Sequence, residues 1–141
     1  MREVVDINVI VSALMNVNGT PAKILSLILN GKLKILYDNR IIFEYFTVLS
    51  RKEFGFNDEI INDMINYLKH DGEFINPEYI KTKFPDETDK KFYEVYKTGK
   101  AEYLITGNIK HFPKEDAIII PIDFMQILGA MSNEQRNFYH E

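Results

Sequence analysis

The chain has 141 residues, of which 45% are hydrophobic and 27% charged, with 21 acidic against 17 basic side chains and no cysteine. Disulfides and thiolate metal sites are therefore excluded, and a net charge of -4 argues against bulk electrostatic binding of nucleic acid while allowing a local basic rim. The length implies one domain over residues 1–141 with a full core. No apolar run approaches the ~20 residues of a membrane span, Met1-Arg2-Glu3 lacks a signal-peptide pattern, and the absence of cysteine fits a cytoplasmic protein.

In chain order, Arg2 to Asp6 reads as a buried strand and Asn8 to Asn16 as a short helix that Asn8 is positioned to cap. Val17-Asn18-Gly19 is a turn, and Thr20 caps a helix with Pro21 at its first position. That helix carries Ile24, Leu25, Ile28 and Leu29 on one stripe and stops near Asn30-Gly31. Leu33 to Tyr37 forms a second strand, and Asp38 opens a helix that runs to about Ser50. Asn57 caps the next helix, with Ile60, Ile61, Met64, Ile65 and Leu68 as its apolar stripe and Gly72 near its end.

Phe74 to Lys83 reads as irregular chain or a brief edge strand, punctuated by Pro77 and Pro85. Asp86 or Thr88 starts a helix ending at Gly99, Glu102 to Thr106 is a third clear strand, and Ala117 to Ile120 a fourth. Pro121 begins a last helix through about Gly129, and a polar tail, 130–141, is expected to fray. Strands alternating with helices imply βαβ units and a parallel sheet of four or five strands covered on both faces, a three-layer α/β/α sandwich.

Four positions stand out by where they fall. Asp6 closes the first strand, and ligands bind open α/β sheets at the carboxyl ends of their strands. Glu44 lies three residues after Ile41 and four before Val48, so its carboxylate shares the core-facing side of a helix. Burying it unpaired costs several kcal/mol, so it requires a cation or a strong donor. Asp89 begins the inward stripe that continues through Phe92 and Tyr96, with Asp86 one turn earlier able to replace or assist it. Asn108 follows a strand in Thr106-Gly107-Asn108, where its amide oxygen can accept a hydrogen bond or bind a metal, and Gly107 permits close backbone approach.

Three carboxylates at one sheet edge repel one another unless protons or a divalent cation intervene. Oxygen-only ligands suit Mg²⁺ or Mn²⁺, which also bind phosphate oxygens and activate water for in-line displacement. Taken one at a time, each residue has a plainer reading: Asp6 as a cap or turn residue, Glu44 as half of a salt bridge, Asp86 and Asp89 as helix-dipole residues.

The residues in order resemble the PIN-domain nucleases, in particular the small single-domain group that includes toxins of toxin–antitoxin pairs. The resemblance spans Val4 to Leu128 and rests on four segments: Val5-Asp6-Ile7-Asn8 with its apolar run, Phe43-Glu44-Tyr45 through Arg51, Asp86-Glu87-Thr88-Asp89, and Thr106-Gly107-Asn108 with His111-Phe112-Pro113. It implies a divalent-metal-dependent endoribonuclease that uses Mg²⁺ or Mn²⁺, a homodimer, and control by an antitoxin protein. Asp6, Glu44 and Asp89 would be the metal ligands, Asn108 a fourth catalytic position, and Asn8, Asp86 and Thr106 supporting residues. Ile7 stands where the family usually has Thr, and Asn108 where it often has an acid, which lowers the site charge by one.

Among the basic residues that flank these segments, Arg51 and Lys110 are the candidate RNA contacts. Lys52, Lys90, Lys91 and Lys114 are read as solvated surface charge. His111 is read as structural, and Tyr93 and Tyr96 as core rather than base-stacking residues. A PIN-like module that binds RNA or protein without cleaving is the alternative function, motivated by Ile7 and Asn108. A phosphoacceptor receiver fits poorly, because Asn8 and Pro121 stand where it needs an acid and a lysine. No Gly-x-Gly-x-x-Gly turn supports dinucleotide binding.

Overall fold

The structure, a computed structural model, describes residues 1–140, with side chains described through Met131. The elements are β1 (Arg2–Val5), α1 (Ile7–Met15), α2 (Thr20–Leu29), β2 (Lys34–Tyr37), α3 (Asn39–Leu49), α4 (Asp58–Asp71), β3 (Glu73–Phe74), α5 (Lys90–Thr98), β4 (Tyr103–Ile105), β5 (Ile118–Ile119) and α6 (Pro121–His140). Short 3-10 turns cover Glu87–Asp89 and Ile109–His111.

The strands form one five-stranded sheet in the order β3-β2-β1-β4-β5, every neighbouring pair parallel. This is the α/β class that the alternation of strands and helices predicts. Helices flank the sheet, α2 packing on α1 and α6, and α3 on α4 and α5. The chain winds outward from β1 through β2 to β3, then returns to lay β4 on the other side of β1. The sheet therefore reverses direction between β1 and β4, and the carboxyl ends of those two strands flank the crevice where such folds bind ligands.

Local chemistry explains most boundaries. Asp38 caps α3 by accepting from the Ile41 N–H at 2.9 Å, and Asn57 caps α4 by accepting from the Ile60 N–H at 3.1 Å. Val4, Ile10, Ile24, Ile35, Leu36, Ile41, Leu68, Phe92, Leu104 and Phe124 are sealed in the core, each contributing roughly 1.5–3 kcal/mol by leaving water. Tyr93 and Tyr96 are buried in that core, as read from the sequence. Among the described residues no helix is long and apolar enough to cross a membrane.

Several expectations change. Asn8 does not cap α1: Asp6 holds that position, and Asn8 lies within the helix, where its Oδ1 accepts from the Gly107 N–H at 3.2 Å. A Cβ at Gly107 would sit 3.6 Å from the Asn8 side chain, an ordinary contact, so space does not demand glycine there. Gly19, not Thr20, is the N-cap of α2. Leu29 and Ile60 are exposed. Ile60 lies about 100° around the helix from Ile61, off the face that Ile61, Met64, Ile65 and Leu68 turn inward.

The edge strand β3 is only Glu73–Phe74, and the chain from Ile75 to Lys83 has no regular structure. The last helix passes Gly129 and continues to His140, because Met131, Glu134, Gln135 and Arg136 favour helix and no proline stops it. The expectation of a frayed tail falls, for Glu141 and for the side chains of residues 132–141, outside the described residues.

Candidate functional site

Asp6 follows directly on β1, and its N–H extends the ladder by donating to the Ile105 carbonyl at 2.9 Å. Its side chain is nearly sealed from solvent, at 3% exposure. The Thr106 hydroxyl, at the matching end of β4, donates to Asp6 Oδ2 at 2.8 Å and accepts from the Asn108 N–H at 3.0 Å. One buried threonine thus ties the first acid to the Thr-Gly-Asn turn across 100 residues of sequence.

Burial pushes the Asp6 carboxyl up to about 6, and the nearby Asp89 and Glu44 carboxylates push in the same direction, against the Thr106 hydroxyl and the Asn8 backbone amide. The three acids therefore act on one region of space although they come from β1, α3 and the start of α5. Tyr45 lies between them and the core. Its hydroxyl donates to the Val5 carbonyl, immediately before Asp6, and its acidity is suppressed by burial and by the charges of Asp6 and Glu44.

Glu44 is partly buried on α3. Its Oε1 accepts from the Lys91 ammonium at 3.0 Å, while its Oε2 is buried without any hydrogen-bond partner among the described residues. A buried carboxylate oxygen without a donor is costly. It is the atom of this site with coordination capacity left over. Lys91 is held by Glu44 and by the Thr88 carbonyl, with only 12% of its side chain exposed. The reading of Lys91 as solvated surface charge is thus corrected, as is that of Lys90, which is buried against the Tyr79 ring.

Asp86 and Asp89 separate cleanly. Asp86 is exposed and accepts from the Thr88 N–H at 2.9 Å and the Thr88 hydroxyl at 2.7 Å, which hold its carboxyl below the usual range. It caps the turn that leads into α5. Asp89 lies one turn further, largely shielded, with its carboxyl raised by burial and by Asp86 and lowered by His111. The His111 Nδ1 is 3.2 Å from Asp89 Oδ2, so this histidine contacts an acid of the site.

Other sequence candidates lie at the rim. Asn108 is exposed, and among the described residues its backbone, not its amide, is what engages the site, through Thr106. Lys110 is exposed in the adjacent 3-10 turn, Arg51 is exposed just beyond α3, and Ile7 is half-buried as the first residue of α1. Lys91, His111 and Tyr45 are the participants that sequence reasoning underrated. The signal for Lys91 is its place in the turn after Thr88; nothing in the sequence pairs His111 with Asp89.

The donor set fits a hard divalent cation in kind: carboxylate oxygens only, one of them orphaned, and mutual repulsion that a cation would relieve. Among the described residues, however, no three His, Asp or Glu side chains converge closely enough to share one ion; Glu44 is paired with Lys91 and Asp89 with His111.

A profile of the PIN domain matches residues 2–110, which contain all three acids and Asn108. The chain is also similar to the uncharacterized protein MJ1680 of Methanocaldococcus jannaschii, 37% identical over 112 residues that cover 77% of this chain and 71% of that one. No solved structure matches the chain at a significant level. PIN domains are in general nucleases. With a match across most of its length and a site built from the matched segments, the chain belongs to the PIN-domain family.

Proposed function

We propose that this protein is a divalent-metal-dependent endoribonuclease that hydrolyses RNA phosphodiester bonds, and that Asp6, Glu44 and Asp89 would hold Mg²⁺ or Mn²⁺ only after a rearrangement that frees Glu44 from Lys91 and Asp89 from His111. The observation that carries the reading is the orphaned, buried Glu44 Oε2 beside an Asp6 whose acidity already registers both other carboxylates. A bound divalent ion supplies Lewis acidity at the phosphate and lowers the pKa of a coordinated water. The protein's own residues do the rest.

Asp6, with its carboxyl at about 6, is mostly ionised at neutral pH, and the Thr106 hydroxyl fixes the plane it presents. Tyr45 locks the backbone just ahead of it. Lys91 and His111 are cations, or potential cations, set against the acids. Each holds its carboxylate in place in this structure and could donate to a phosphate oxygen of a bound substrate. The crevice between β1 and β4 brings the scissile phosphate to this group.

The resemblance to the small single-domain PIN group extends the proposal to a cytoplasmic toxin, acting as a homodimer and restrained by an antitoxin protein. Expression in a bacterial host tests that part: growth arrest by the wild type, absent in Asp6→Asn, is expected, and unaffected growth with active enzyme removes it. The nuclease reading is tested by incubating single-stranded RNA with the protein and Mn²⁺. Cleavage that disappears in Asp6→Asn supports it, and cleavage that survives that substitution overturns it. A second reading, a PIN-like binding module without cleavage, is favoured by the engagement of Glu44 by Lys91 and of Asp89 by His111. It predicts no Mn²⁺-dependent thermal shift.

A further inference from the structure

Beside Glu44 opens a groove of about 640 Å³, lined by Asn39, Arg40, Phe43, Thr47, Arg51 and Lys91 among others. Arg40, Phe43, Glu44, Thr47 and Val48 recur at spacings of three and one along α3, so they form a single stripe that faces the groove, and Arg51 follows just past the end of the helix. The stripe includes Glu44, an acid of the site. Phe43 is 71% exposed on it, an aromatic ring with nothing stacked upon it among the described residues.

The charge along the groove runs opposite to that of the chain as a whole. Three lining side chains are cationic and one is acidic, in a protein whose net charge is -4. Arg40 is anchored by two ion pairs, Nε to Asp38 at 2.7 Å and one terminal nitrogen to Glu94 at 2.8 Å. Its remaining guanidinium nitrogen is left to donate from a fixed position. Arg51 makes no ion pair among the described residues and lines the same groove just past the end of α3. A flat exposed ring between two guanidinium groups suits a strand that alternates bases and phosphates, and a volume of this size accepts a nucleotide.

We propose that this groove is a binding subsite for single-stranded RNA next to the scissile bond, with Phe43 stacking a base and Arg40 and Arg51 receiving the flanking phosphates. The inference rests on the nuclease reading for the direction of the strand, but its test does not need cleavage.

Binding of a short fluorescein-labelled single-stranded oligoribonucleotide, followed by anisotropy in EDTA, is compared for wild type, Phe43→Ala, Phe43→Trp and Arg51→Ala, with duplex RNA in parallel. Phe43→Ala is expected to weaken single-strand binding roughly five- to hundredfold, and Phe43→Trp to restore it. Arg51→Ala is expected to lower the slope of log affinity against log salt by about one. Because Phe43 is exposed, unchanged melting temperatures are expected and serve as the control on folding.

Wild-type protein that binds no single strand, or Phe43→Ala that binds as wild type, overturns the subsite. So does a Phe43→Ala variant that only changes sedimentation from dimer to monomer, since a second copy would then cover this face. Loss of equal size on duplex RNA also overturns it. Phe43-dependent binding without any Mn²⁺-dependent cleavage leaves the groove standing and removes the nuclease reading. Cleavage with Phe43-independent binding does the reverse.

Discussion

Glu3 and Asp6 stand three residues apart along the central strand, and both are nearly sealed from solvent, at 1% and 3% exposure. Burial is the first cause of the raised pKa in each, about 8 for Glu3 and about 6 for Asp6. Yet their surroundings differ. Glu3 accepts one hydrogen bond from the Tyr103 N–H at 3.1 Å, leaves Oε1 without a partner among the described residues, and faces Glu102 as its principal like charge. Asp6 sits at the carboxyl end of the strand with a hydroxyl donor, two further carboxylates and the cationic residues paired to them.

The contrast separates two uses of a buried acid. At the amino end of β1 the protein has a carboxyl that stays protonated at neutral pH and costs stability when forced to ionise. At the carboxyl end it has a group of acids that share their repulsion and come from three separate elements. Depth of burial does not distinguish the two; the company each acid keeps does.

The sharpest way to break this comparison is to neutralise each acid in turn. Asp6→Asn is expected to reduce Mn²⁺-dependent RNA cleavage by on the order of 10³-fold, measured on a labelled single strand, whereas Glu3→Gln leaves it unchanged. Equal losses would erase the distinction. Next in size is the partner of Asp6. Thr106→Val removes the hydroxyl that orients the carboxylate, and a drop of about 10- to 100-fold in Mn²⁺ affinity is expected from the metal dependence of the melting temperature. Glu44→Gln should abolish that Mn²⁺ shift, while Asp86→Asn, at the exposed cap, should preserve it.

A separate effect belongs to Glu3 alone and concerns pH. Its folded pKa of about 8 lies above its ordinary value of 4.5, so between those values the folded chain keeps a proton that the unfolded chain has lost. Stability therefore falls as pH rises through that window and levels off above it. Denaturant titrations of Glu3→Gln at pH 8 are expected to show a gain on the order of 4 kcal/mol over wild type, vanishing near pH 4. A gain that grows toward low pH would contradict the assignment. The smallest expected change is in Tyr45→Phe, which deletes the bond to the Val5 carbonyl at a cost of about 1–2 kcal/mol in chemical denaturation.

Much of this architecture was legible in the chain itself. The alternation of β-branched runs with helix-period stripes pointed to a parallel sheet. Asp6, Glu44 and Asp89 are marked in the sequence as carboxylates at a strand end or on an inward helix face. Asp38 and Asn57 announced their helices because capping is a contact between residues three apart. Such features depend on neighbours in sequence, and periodicity records them.

What only the tertiary structure decided involves residues brought together from a distance. Thr106 and Asp6 are 100 residues apart, Lys91 and Glu44 are 47 apart, and His111 and Asp89 are 22 apart. No local pattern says which lysine will lose its water to pair with an acid, so Lys91 read like its neighbours. Nor does one say that Asp86 spends its oxygens on Thr88 while Asp89 turns inward. The two-residue strand β3, expected only as irregular chain or a brief edge strand from Phe74, takes its bounds from pairing with β2 in the sheet rather than from its own side chains. Sequence determined where the acids lie along the chain, because strand ends and helix faces are local properties. Folding determined which of them meet, and which cations meet them, because that depends on how the return crossover sets β4 beside β1.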